Sequence, residues 1–197
     1  VINKLLIANR GEIAVRIIRA CAEMDITSVA VYTDADRHGL HVKKADESYS
    51  LGPDSLAGYL NVHRLVNLAR AAGCDAIHPG YGFLSENPQL AEACTQNDIR
   101  FVGPPASVIR SMGDKVHARS TMAEAGVPVV PGSDGNLSGL EPALALADDI
   151  GYPVMLKATT GGGGRGIRRC EGPGELRRNY DRVLSEAGKA FGSAEVF

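Results

Sequence analysis

The sequence predicts an α/β fold class: a doubly wound parallel sheet, then a helical linker, then a small α+β domain. Short apolar runs alternate with stretches of helical periodicity through residues 1–102, the pattern of an open sheet covered by helices. Several of those runs end in turns bearing glycine or proline, and open sheets bind ligands at such strand ends. Late in the chain an apolar run delivers Lys157 into a loop made almost wholly of hydroxyl and glycine residues. Packing does not explain such a loop, because consecutive glycines carry a large entropy cost on folding.

Residues 4–8 read as the first strand. The run stops at Asn9-Arg10-Gly11-Glu12, and Ile13, Val15, Ile17, Ile18 and Cys21 then mark a helix. A second strand over residues 27–32 is followed by Asp34, as in a dinucleotide-binding unit. That likeness fails at the first turn. Only Gly11 is present where the dinucleotide fingerprint needs three glycines, and Glu12 at the helix start would repel a pyrophosphate. Asp34, Asp36, His38 and His41 have the residue types of a metal site, but no spacing fixes them as ligands. A polar loop entering a short helix is the preferred reading.

Residues 47–51 read as a third strand, closed by Gly52-Pro53. Asn61 caps a helix carrying Val62, Leu65, Val66 and residues 68–72, which Gly73 ends. Residues 75–78 form a fourth strand that runs into His78-Pro79-Gly80-Tyr81-Gly82-Phe83-Leu84-Ser85-Glu86-Asn87. Tyr81 and Gly82 in that loop are candidates for touching a substrate; His78 either does the same or orients the loop. A helix over 88–96 and a strand over 100–102 complete the domain before Gly103-Pro104-Pro105.

From Ala106 the chain is helical through Val108, Ile109 and Met112, breaks at Gly113-Asp114-Lys115, and resumes over 116–125. Asp114 caps the second helix and leaves Lys115 in its first turn, where the helix dipole disfavours a cation. Either an anion compensates or the lysine is simply solvated. After a loop over 131–136 come a helix (140–150), a buried strand (154–156), its hairpin partner (167–170), a polar helix (174–190) and the start of another strand (194–197). A chain stopping in mid-strand is expected to be part of a longer one. Within the hairpin, Thr159, Thr160, Gly161, Gly162, Gly163, Gly164, Arg165 and Gly166 offer amides, hydroxyls and a guanidinium suited to phosphate oxygens. Lys157 adds a point charge for the same phosphates. The alternative is a solvated hairpin tip.

Composition bounds the function classes. With 197 residues, 44% of them hydrophobic, the chain can build one large or two small cores. A net charge of -2 leaves no electrostatic footprint for nucleic acid, and no apolar run reaches membrane-spanning length. A cytoplasmic protein is expected. The four cysteines, Cys21, Cys74, Cys94 and Cys170, include no close pair, so neither a disulfide framework nor a zinc knuckle is suggested.

Taken together, residues 7–14, residues 78–87, Met112-Gly113-Asp114-Lys115, Pro131-Gly132-Ser133 and Lys157 with its glycine loop closely resemble the biotin carboxylase component of biotin-dependent carboxylases. Both order and spacing agree, and the resemblance covers the whole chain. It implies an ATP-grasp enzyme: a Rossmann-like, pre-ATP-grasp domain over 1–102, a helical linker over 103–130, and an ATP-grasp lid over 131–197. It implies that Lys115 and Lys157 bind ATP phosphates and that Gly161, Gly162, Gly163, Gly164, Arg165 and Gly166 close over the nucleotide. Tyr81 and Gly82 would lie near the biotin and bicarbonate end of the site. Arg16, Arg19 and Glu23 match positions that help form a homodimer interface in bacterial relatives; a solvated charged face is the alternative. The Thr159-Thr160 pair departs from the serine and longer glycine run of many members.

The resemblance further implies a third domain holding the Mg²⁺ ligands, the adenine pocket and the groups acting on bicarbonate and biotin. No catalytic or metal residue is therefore assigned within these residues, and alone they are expected to be inactive. The complete protein would use ATP and bicarbonate to carboxylate biotin on a biotin carboxyl carrier protein, serving a carboxyltransferase of acetyl-CoA, propionyl-CoA or pyruvate type. Rival readings are another ATP-grasp ligase, of the carbamoyl-phosphate synthetase kind, and a non-enzymatic nucleotide-binding module. The Asn9–Glu12 and His78–Gly82 stretches favour the carboxylase.

Overall fold

A computed structural model describes residues 1–53, 56–133, 135–159, 166–191 and 195–197, with all their side chains except those at 115, 190 and 191. Packing divides the chain into two units, Val1–Gly113 and Asp114–Phe197. The expected linker spans this division.

In the first unit, strands β1 (Lys4–Ile7), β2 (Thr27–Tyr32), β3 (Glu47–Ser50), β4 (Ala76–His78) and β5 (Arg100–Phe101) form one parallel sheet in the order β3-β2-β1-β4-β5. Helices α1 (Gly11–Glu23), α2 (Leu40–Lys44), α3 (Val62–Ala71), α4 (Pro88–Gln96) and α5 (Ala106–Gly113) accompany it. Side chains alternate across a strand, and β1 shows the consequence. Leu5 and Ile7 join Ala14, Ile17, Ile18 and Cys21 of α1 in one core. Leu6 and Ala8 join Leu65, Val66 and Ala69 of α3 and Leu90 and Cys94 of α4 in another. A strand buried on both faces must be apolar throughout, which is why residues 5–8 show no polar alternation. Leu6 and Ile77 are fully buried, and truncating either to alanine would cost about 2–5 kcal/mol. By contrast β3 is an edge strand of mostly exposed residues, tied to the sheet partly through Lys4 Nζ and Glu47 at 2.6 Å.

Caps fall where short polar side chains precede apolar periodicity. Asn61 accepts the Arg64 N–H at 2.9 Å, and Asn87, with Pro88 starting α4, accepts from Gln89 and Leu90. Strand β4 begins at Ala76, and the Asp75 side chain just before it takes the N–H groups of Asn3 and Lys4, at 2.7 and 2.8 Å.

In the second unit, α6 (Lys115–Glu124) is capped by Asp114, which accepts from Val116 and His117, both at 3.0 Å. Strands β6 (Val154–Lys157) and β7 (Ile167–Cys170) form an antiparallel pair, packed with α7 (Leu140–Ile150) and α8 (Pro173–Phe191). Leu156, Ala158 and Cys170 meet Leu144, Ala147, Leu176, Tyr180 and Val183 in its core. Residues 195–197 lie along the other edge of β6, bridging Val196 to Ala158. All four cysteines are free and buried, and burial pushes the thiols of Cys74 and Cys94 up to about 11. Among the described residues no helix is long and apolar enough to cross a membrane.

Candidate functional site

Strand order reverses between β1 and β4, so the turns leaving these two strands lie side by side at the carboxyl edge of the sheet. Ile7 pairs with His78, and the Ala8 N–H bonds to the His78 carbonyl at 2.9 Å. The turn 9–12 and the loop 79–87, far apart in sequence, thereby become neighbours.

Asn9, only 4% exposed, joins them. Its Nδ2 donates to the carbonyls of Pro79 (2.8 Å) and Tyr81 (2.9 Å), and its Oδ1 accepts the Arg10 N–H at 2.8 Å. Both amide protons are thus used, a complete account for a buried side chain. Gly80 crosses directly over this amide at φ 68°, and a Cβ there would lie 2.7 Å from Asn9 Nδ2. His78 takes the loop-orienting role: its Nδ1 accepts the Gly80 N–H at 3.0 Å, and burial lowers its pKa, favouring the neutral ring.

The loop then presents Tyr81, 63% exposed, followed by Gly82 at φ 67° with open space beside it. The Tyr81 hydroxyl donates to the Glu12 carboxylate, and this bond raises the phenol pKa. Phe83 sits at φ 44°, a region an aromatic residue avoids, and its ring stacks on Tyr59. The Tyr59 hydroxyl donates to Asp36 at 2.8 Å, and the same carboxylate receives Arg10 Nε at 2.6 Å. The Arg10 guanidinium, helped by Tyr59, holds the Asp36 carboxyl below its usual range.

Sequence reasoning missed the Arg10, Asp36 and Tyr59 group. Its members come from turns after three different strands, and only the polar run at 34–41 hinted at them. That run is not a metal site: Asp36 is committed to Arg10 and Tyr59, Asp34 pairs with Arg37 at 2.7 Å, and His41 is buried. Among the described residues no group of acidic, histidine or cysteine side chains could hold a metal ion.

In the second unit Lys157 ends β6. Alternation along the strand puts Leu156 and Ala158 in the core and Met155, 48% exposed, with Lys157 on the outer face. The backbone of Lys157 faces Ile167 of β7 on one edge and is held on the other by reciprocal bonds with Phe197 at 3.0 and 2.8 Å. A cleft of about 300 Å³ borders it, lined chiefly by apolar groups including Val130, Pro131, Ile150, Met155 and Phe197.

Gly161, Gly162, Gly163, Gly164 and Arg165 lie outside the described residues, as does the side chain of Lys115. The base of their loop is described: Ala158 N–H bonds to the Gly166 carbonyl at 2.8 Å. Gly166 has φ 69°, and a Cβ there would lie 2.9 Å from that of Ala158, so glycine is needed to close the base. The Thr159 hydroxyl donates to Asn136 Oδ1 at 2.6 Å. On α1, Arg16, Arg19 and Glu23 are all exposed, opposite the buried Ala14, Ile17, Ile18 and Cys21.

Comparison with known proteins agrees with this division. Residues 1–109 match the family model for the biotin carboxylase N-terminal domain, and residues 114–197 match that for the carbamoyl-phosphate synthase L chain ATP-binding domain. The chain is 53% identical to the 2-oxoglutarate carboxylase small subunit of Hydrogenobacter thermophilus, over 98% of this chain and 41% of that one. It is 54% identical to biotin carboxylase 1 of Bacillus subtilis, over 100% of this chain and 44% of that one. Among solved structures, a Campylobacter jejuni biotin carboxylase–β,γ-ATP complex superposes with a TM-score of 0.92 at 47% identity, covering 100% of this chain and 44% of that one. The biotin carboxylase domain dimer of the H. thermophilus enzyme, with MgADP, ADP and bicarbonate, gives 0.91 at 52% identity, covering 99% and 43%. The chain spans less than half the length of these relatives.

Proposed function

Because the chain belongs to the biotin carboxylase family by its N-terminal domain, we propose that it forms part of an enzyme that carboxylates biotin on a carrier protein, using ATP and bicarbonate. The observation that carries this reading is the Asn9 clamp. The second unit alone fits ATP-grasp ligases of several kinds, whereas the joined turns at 9–12 and 79–82 are the carboxylase-type motifs built into one structure.

In this reading Lys157 and Lys115 bring positive charge to the ATP phosphates, and the amides of the 161–166 loop add oriented dipoles. Such groups stabilise charge on the phosphoryl group as bicarbonate attacks it, giving carboxyphosphate, whose breakdown supplies CO₂ to the ureido nitrogen of biotin. Tyr81 and Gly82 face the biotin and bicarbonate end. Mg²⁺ enters with the nucleotide, as in the MgADP complex of the H. thermophilus relative. Arg16, Arg19 and Glu23, exposed along α1, are proposed as part of a homodimer interface. Partnership with a carboxyltransferase, and cytoplasmic residence in line with four free thiols, belong to the same reading, although some relatives are named chloroplastic or mitochondrial.

The test is Lys157→Ala in a full-length carboxylase carrying this segment. The backbone bonds of Lys157 do not depend on its side chain, so thermal unfolding should be unchanged while bicarbonate-dependent ATP cleavage is abolished. Wild-type turnover in that variant would sink the assignment. An ATPase that biotin does not stimulate would favour the carbamoyl-phosphate synthetase reading instead.

A further inference from the structure

We propose that Glu12 is a positioning residue that fixes the Tyr81 hydroxyl as a hydrogen-bond acceptor toward the substrate at this end of the site. The inference rests on the placement of biotin near Tyr81 made above.

Tyr81 stands 63% exposed, yet its hydroxyl is engaged by the Glu12 carboxylate. A phenol has one proton to donate and lone pairs with which to accept, while an ionised carboxylate only accepts. The Tyr81 proton is therefore directed at Glu12, and the oxygen's remaining capacity is to receive a proton donor. Both ends of the residue are held by the same turn. Asn9 fixes the Tyr81 carbonyl at 2.9 Å, and Glu12 fixes the hydroxyl. Between them Gly11 turns the chain at φ 62°, with nothing within 4 Å of a would-be Cβ, so the backbone conformation and not packing calls for glycine there.

Glu12 is itself exposed and contributes nothing to either core. Its position in the first turn of α1 is favourable to the helix dipole, but that requires no tyrosine. The sign of its charge also selects among ligands. A carboxylate behind the phenol disfavours an anion such as bicarbonate there, and the acceptor polarity suits an uncharged group presenting N–H. The ureido ring of biotin is such a group.

The experiment is a double-mutant cycle in the full-length carboxylase, measuring KM for free biotin, bicarbonate and ATP in Glu12→Ala, Tyr81→Phe and the double variant. Each single change is expected to raise the biotin KM by roughly tenfold, the worth of one hydrogen bond, with the other two KM values unmoved. The double variant should be no worse than either single, because one interaction is removed in all three. Spectrophotometric titration supplies a second readout: in Glu12→Ala one tyrosine should ionise at lower pH than in the parent. Single effects that multiply to about a hundredfold in the double variant would overturn the proposal. So would a biotin effect of Tyr81→Phe unaccompanied by one for Glu12→Ala. A titration shift with an unchanged biotin KM in Tyr81→Phe would instead overturn the placement of biotin, and the proposal with it.

Discussion

The ring of Phe83 stacks on that of Tyr59, centroids 5.3 Å apart and 15° from parallel, and so ties the loop after β4 to the connection after β3. Phe83 pays for an unfavourable φ of 44° and is held by this contact, while Tyr59 is fixed at its other end by Asp36. Tyr59→Phe keeps the stack but leaves one site on a part-buried carboxylate unfilled. The first unit should lose about 1–1.5 kcal/mol, seen as a lower urea midpoint with unchanged slope. An unaltered midpoint would show that the hydroxyl contributes nothing.

Gly80 and Gly82 share a positive φ but not a neighbourhood. At Gly80 a Cβ would meet Asn9 at 2.7 Å, whereas at Gly82 nothing lies within 4 Å. Gly82→Ala should cost about 1 kcal/mol, from backbone conformation alone. Gly80→Ala should cost roughly 2–3 kcal/mol, because Asn9 must also give up a carbonyl. Equal losses in urea unfolding would contradict the clamp.

His41 is 1% exposed, and burial lowers its pKa by more than the Val31 backbone raises it, as burial lowers that of His78. A histidine whose folded pKa lies below its unfolded one contributes stability that is complete above the unfolded value, about 6.5. As the pH falls below that value, the unfolded chain takes up protons first and the stability is lost. The urea midpoint should therefore fall between about pH 7 and pH 5, and fall less steeply in His41→Gln. A variant with the parent's slope would exclude His41 as a source of the dependence.

Much of the fold was legible in the chain. Residues 27–32, 88–96, 140–150 and 167–170 were readable from local pattern alone, and each is the element expected. Asn61 and Asp114 cap as their positions before helical runs suggest. The His78 alternatives were separated only by the bond from Gly80, since a histidine that orients a loop and one that binds a ligand look alike in sequence. Nothing local could link Arg10 to Asp36 or Tyr59, because each closes a different strand.

What the sequence determined by itself was the set of elements and the family. These depend on periodicity, caps and turn residues, which neighbouring positions encode. The tertiary structure decided which turns meet. Strand order places β1 beside β4, and this pairing lets Asn9 hold the loop and Glu12 hold the Tyr81 hydroxyl. The physical reason is that a buried amide or a phenol proton takes whichever partner the packed sheet brings within about 3 Å, and that partner need not be near in sequence.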